Sequence, residues 1–210
     1  MIMGKVRVMT RMRWFAFVMG LLLGVLIILA IRLFTYDPPH THYHANFAVY
    51  INGQREEFNN PKYYQEVAIC SADNDNLPQQ RAHMHDNINS VVHVHDSAVT
   101  WGQFFDNIGW EIGPNFIMKD DGTLLVASGD NQLHILLNGQ DYTGLTSIAN
   151  RVIGDRDRLL VSFGNIDNPQ LQQEYTSVPS TAKHYDESTD PASCAGAENP
   201  TFSERLHHLF

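Results

Sequence analysis

Two hydrophobic patterns divide the chain. Residues 14–34 run for 21 positions with a single charge, Arg32, near the end. At about 1.5 Å per residue, a helix of this length spans roughly 30 Å, the thickness of a hydrocarbon core. Trp14, Phe34 and Tyr36 suit the headgroup layers, and Arg32 can reach one of them by snorkelling. Pro38 and Pro39 then stop the helix, because proline has no amide hydrogen to continue it and restrains its predecessor. A cleaved signal peptide is the competing reading. Its apolar core is shorter, about 7–15 residues, with small residues at the cut, and Ala30, Ile31 and Arg32 match that poorly. The expectation is an uncleaved transmembrane anchor.

Across residues 40–164 the apolar positions recur mainly with the period of two that marks strands. Residues 47–58 and 133–145 each carry an apolar run into Asn-Gly, at Asn52-Gly53 and Asn138-Gly139, a strong hairpin signal because both residues tolerate positive φ. Residues 81–96 read as two short strands around a turn. A short helix follows, with Thr100 as N-cap, Trp101, Phe104, Phe105 and Ile108 as its apolar stripe, and Gly109 as its stop. A hairpin turning at Asp121-Gly122 and a buried strand over residues 159–163 complete the pattern. The predicted fold class is α+β: a mostly antiparallel β-sheet with one main helix, in a β-grasp-like arrangement. Residues 165–210 read as a surface-hugging tail, rich in Asn, Pro, Ser, Thr and Asp over residues 165–200. A short C-terminal helix ends it, with a capping box at Thr201 and Glu204 and with Phe202, Leu206, Leu209 and Phe210 on one face. Docking of that helix on the domain is preferred over contact with the membrane.

Charge assigns the two sides. Residues 1–13 carry Lys5, Arg7, Arg11 and Arg13 and no acid, so this segment is expected to stay cytoplasmic. The rest is then extracytoplasmic, on a single-pass anchor in the cell membrane. Beyond Thr35, 9 basic side chains face 23 acidic ones, a net of −14 with neutral histidine. Such a body repels phosphate backbones, which argues against nucleic acid as a partner, and concentrates cations. The two cysteines, Cys70 and Cys194, form no Cys-x-x-Cys motif. One disulfide tying the tail to the domain is expected in an oxidising compartment, with two free thiols as the alternative.

Seven of the eleven histidines fall in three alternating groups: His40, His42 and His44; His83 and His85; His93 and His95. Residues two apart on a strand share a face, so each group aims its imidazoles together. Phe47, Val49 and Ile51 share one face of their strand, and His42 and His44 fall on the other. Val92 and Val94 alternate against His93 and His95 in the same way, and Ala82 and Met84 against His83 and His85. His134 repeats the pattern between Leu133 and Ile135. A hairpin with His85 opposite His93 and His83 opposite His95 would leave a turn at 87–91. Directly opposed residues lie about 4.5–5.5 Å apart, which suits imidazoles sharing one ion. The predicted ligand set is therefore His42, His44, His93 and His95, with His85 or His83 joining or supporting them. An all-imidazole set without thiolate suits copper, or alternatively zinc. Asp86 and Asp96 each follow a histidine pair, placed either to orient imidazoles or to face solvent.

At HYHANFAVYING, VHVHDSAVTWGQFFDNIG and DRDRLLVSFG the chain resembles a poorly characterised family of membrane-anchored His-x-His ectodomain proteins from uncultivated bacteria and some archaea. The resemblance covers about residues 42–164, and DPASCAG in the tail is similar in bacterial members. It implies that His42, His44, His93 and His95 are the more regular pairs. Such sequences are sometimes labelled protein-disulfide isomerase, an activity the absence of Cys-x-x-Cys does not support. The similarity to multicopper oxidases is confined to the His-x-His motif. A cupin would carry a Glu and a further His after its pair, and residues 96–105 contain neither.

The function expected from these features is extracytoplasmic metal capture, delivery or sensing. A metal-dependent enzyme at the same site, or a thiol–disulfide protein acting through Cys70 with a partner's cysteine, are the alternatives. No separate general base or substrate motif accompanies the histidines.

Overall fold

The computed structural model of the chain describes residues 2–36, 41–64, 78–84, 86–143, 148–187 and 202–209. They belong to two compact units, Met1–Pro39 with Ala197–Phe210, and His40–Gly196. In the first, helix α1 (Ile2–Thr35) contains a stretch, Arg13–Thr35, long and apolar enough to cross a membrane. Near the end of α1 lies the short C-terminal helix α6 (Phe202–His207). Arg205 of α6 donates to the carbonyls of Leu33, Phe34 and Tyr36, each at 3.1 Å. The His208 ring stacks on Tyr36 with centroids 4.4 Å apart. Within this unit, α6 is therefore held against the end of the apolar helix.

The second unit is built on a seven-stranded sheet. Its main strands are β1 (Tyr43–Ile51), β3 (Ala82–His83), β4 (Val91–Val94), β8 (Gln132–Leu137) and β10 (Arg158–Gly164). Two short strands, β2 (Gln54–Arg55) and β9 (Gln140–Asp141), pair with β1 and β8. The order is β3-β4-β1-β10-β8-β9, with β2 pairing on β1. Every pair is antiparallel except β1 with β10, which run parallel at the centre. The first and last strands side by side, with a helix across one face, make the connectivity β-grasp-like. Both hairpin turns are at the Asn-Gly steps, with φ of 53° and 77° at Asn52 and Gly53 and 53° and 78° at Asn138 and Gly139. A separate three-stranded sheet holds β5 (Glu111–Ile112), β6 (Phe116–Met118) and β7 (Leu124–Val126), with Gly122 in its expected turn.

One face of the main sheet carries the larger core. Ala45, Phe47 and Val49 of β1, Leu159 and Val161 of β10 and Val92 and Val94 of β4 pack there against helix α3 (Trp101–Asn107). Thr100 and Gln103 form a reciprocal capping box at the start of α3, and Gly109 at φ 76° follows its end. Burial of Trp101, Phe104 and Phe105, none of them exposed, contributes about 1.5–3 kcal/mol per side chain relative to exposure.

The opposite face is covered as well, by elements the sequence read as a tail. These are α4 (Asn168–Ser177) and α5 (Ala182–Glu187), which follow β10, whereas the short α2 (Pro78–Arg81) leads into β3 and touches α3. Leu171 and Val178 pack on Ala48, Leu136 and Leu160. Asp167 caps α4 by accepting from the Gln170 amide at 2.9 Å. Arg158 donates to the carbonyls of Tyr175 and Val178 at the end of α4 and of Pro179 just beyond it, tying that end to β10. The sequence expected one main helix; α4 and α5 are additions that turn a half-exposed sheet into a three-layer unit.

Candidate metal centre

Strands β1 and β4 build the site. Their register pairs Tyr43 with Val94 and His44 with His93. One further step along the ladder, His42 and His95 bring their ring centroids to 4.7 Å, nearly parallel at 20°. These histidines point away from Phe47, Val49, Val92 and Val94, as the alternation of the two strands requires. On the outer side of β4, His83 of β3 is opposite His93. The sequence expectation of His83 opposite His95 is thus off by two residues. Asp86 and Asn87, both at φ 56°, open the turn early, and Met84 leaves the ladder to bridge Tyr64. A two-residue shift keeps every side chain on its face, so the histidines still converge. The His83 ring stacks on His95 at 5.0 Å and on His93 at 6.0 Å.

Burial grades the cluster. His44, His83 and His93 are 1–2% exposed, whereas His42 and His95 are half-buried. His42, His93 and His95 each offer a ligand atom within 4.8 Å of the other two, a group that could hold a metal ion. Nitrogens bound to one ion at about 2.0–2.1 Å lie at most about 4 Å apart, so ring movements of about 1 Å would close the group.

The remaining imidazoles are held from within the chain. His44 Nδ1 lies 2.7 Å from Asp186 Oδ1 of α5, and His44 Nε2 lies 2.9 Å from His93 Nδ1. Burial pushes the Asp186 carboxyl up, but hydrogen bonds from His44 and Arg156 together outweigh it and hold the pKa below the usual carboxylate value. An ionised Asp186 accepts, so His44 Nδ1 donates. In the neutral pair, His44 Nε2 then accepts from His93 Nδ1, which leaves the His93 lone pair on Nε2. Arg156 fixes the same carboxylate from the other side, its Nε 2.9 Å from Asp186 Oδ2. His83 Nδ1 donates to the Gln79 carbonyl at 3.0 Å, which leaves its lone pair on Nε2 too. The Tyr185 ring lies 5.8 Å from His44 and 6.1 Å from His93, covering that side of the cluster.

Asn46 explains how α5 reaches this position. It is wholly buried, donates to Ser90 O and Thr181 Oγ1, and accepts from the Ala182 amide at 2.9 Å. That last bond holds the first turn of α5 against β1.

Of the expected ligands, then, His42, His93 and His95 come together, His44 and His83 stand beside them, and His85 lies outside the described residues. Cys70 and Cys194 lie outside them as well. Asp96 pairs with Arg81 at 2.6 Å. His134 shares the face but sits on β8, two strands from β1. Asp186, Tyr185, Arg156 and Asn46 escaped the sequence reading, since no local pattern links Asp186 to a histidine 142 positions away. No family model matches the chain, and no curated protein or solved structure matches it.

Proposed function

We propose that this is a membrane-anchored, extracytoplasmic metal-binding protein that captures, delivers or senses one ion through His42, His93 and His95. The observation that supports it is the convergence of three imidazoles within 4.8 Å on a strand face opposite the main core. His44 acts in this reading as a support, because both its ring nitrogens are engaged with Asp186 and His93. Carboxylate–histidine chains of this type orient a ligand and raise its basicity. Copper is the preferred ion and zinc the alternative, since thiolates are absent from the group and raw affinity for imidazole sites favours copper.

Titration of the purified full chain with Cu(II) and with Zn(II), followed by elemental analysis, tests this. One equivalent should bind tightly, and the double variant His93→Ala, His95→Ala should lose it while the far-ultraviolet dichroism persists. Wild-type binding by that variant would end the proposal. Ligation needs neutral imidazoles, so affinity should fall as pH drops through about 6.5.

A second reading has one supporting observation. Three protein ligands leave a coordination position for water or substrate, the pattern of catalytic zinc sites. Hydrolysis of activated esters by the zinc-loaded chain, lost in the same double variant, would favour it.

A further inference from the structure

The C-terminal helix has no place in the metal reading, yet it is tied to the apolar helix at one level. Arg205 donates to the carbonyls of Leu33, Phe34 and Tyr36. The last carbonyls of any helix lack intrahelical partners and need some other donor. Arg32 adds a contact from its Nη2 to the His208 carbonyl at 3.4 Å, and His208 stacks on Tyr36. These contacts fall where the apolar stretch Arg13–Thr35 ends. In a spanning helix, that is the boundary between hydrocarbon and headgroups. Phe202 and Leu206, one turn apart on α6, are 66% and 46% exposed. A helix turn advances about 5.4 Å, so neither residue lies far from the Arg205 contacts. Both side chains thus present apolar surface outward from the helix.

We infer that α6 is a second membrane contact: Phe202 and Leu206 enter the interfacial layer of the phospholipid bilayer, with Arg205 fastening them to the end of α1. This rests on reading α1 as a membrane span. The occupant is lipid because the helix is held at the depth where the span meets headgroups, and because a short helix with an apolar stripe binds that layer through its buried apolar area.

The test uses the full chain reconstituted in phosphatidylcholine vesicles, with a photoreactive benzoyl-phenylalanine replacing Phe202, Leu206 or, as a control, Leu26 within the span. Irradiation followed by mass spectrometry should give phospholipid adducts at all three positions. Arg205→Ala should lower the adduct yield at 202 and 206 several-fold and leave that at 26 unchanged. Lipid adducts at 26 with only protein cross-links or none at 202 and 206 would overturn the inference and leave the span intact. Loss of adducts at 26 as well would overturn the span, and this inference with it.

Discussion

Among single residues, His44 and Asp186 separate a ligand from its support. If His44 orients His93 and does not bind the ion, His44→Ala or Asp186→Ala should weaken metal affinity by about 10–100-fold. The number of coordinating imidazoles, counted from nitrogen splitting in the Cu(II) resonance spectrum, should stay at three, and a fall to two in His44→Ala would make His44 a ligand. Asp186 also sets an acid limit. Its folded pKa lies below the unfolded value of about 3.9, so its stabilising contribution is present above about pH 4. That contribution is lost as pH falls through the lower folded value. Urea midpoints measured between pH 6 and pH 3 should therefore fall less steeply for Asp186→Asn than for the wild type. Which histidines share a face was legible in the sequence, because parity against Val92, Val94, Phe47 and Val49 survives a two-residue slip of register. Their separate roles were not, because those depend on which nitrogen meets a distant carboxylate.

At the level of elements, the strap α5 is fixed to β1 through Asn46. Asn46→Ala would leave the buried Ala182 amide without its acceptor, at a cost of about 1–3 kcal/mol. Limited proteolysis should then cut near residues 181–187 faster than in the wild type, with metal affinity falling in parallel. Unchanged proteolysis would mean that α5 is held by other contacts. Helix α3 and both Asn-Gly hairpins were readable because their signals are local: a cap, a stripe, a left-handed turn. Helix α4 was masked by its Asn, Gln and Ser content, although Asp167 ahead of Pro169 is an N-terminal signature, and Leu171, Glu174, Tyr175 and Val178 follow a helical spacing. The covering of the second sheet face by α4 and α5 depends on tertiary packing that no window of sequence contains.

For the whole molecule, we propose a cytoplasmic N-terminus and an outside domain, on the strength of the basic residues ahead of Trp14. Protease added to intact cells should digest the domain, and protection until lysis would reverse the orientation. Cys70 and Cys194 are expected to pair, which non-reducing peptide mass spectrometry would reveal, and such a bond typically contributes about 2–5 kcal/mol. The central parallel pair of β1 and β10 carries a consequence for timing. Phe47 aligns with Leu159, so the middle of the sheet joins segments made early and late in synthesis. Long loops must close before such pairings stabilise anything, which makes them slow to form. The Asp186–His44 contact depends on an element made later still, beyond β10. While the chain is being made, its histidines are therefore strung along an unfinished sheet. If the three imidazoles hold an ion as proposed, their Asp186-backed arrangement is complete only once α5 has docked, and full-affinity ion uptake should follow maturation of the domain instead of guiding it.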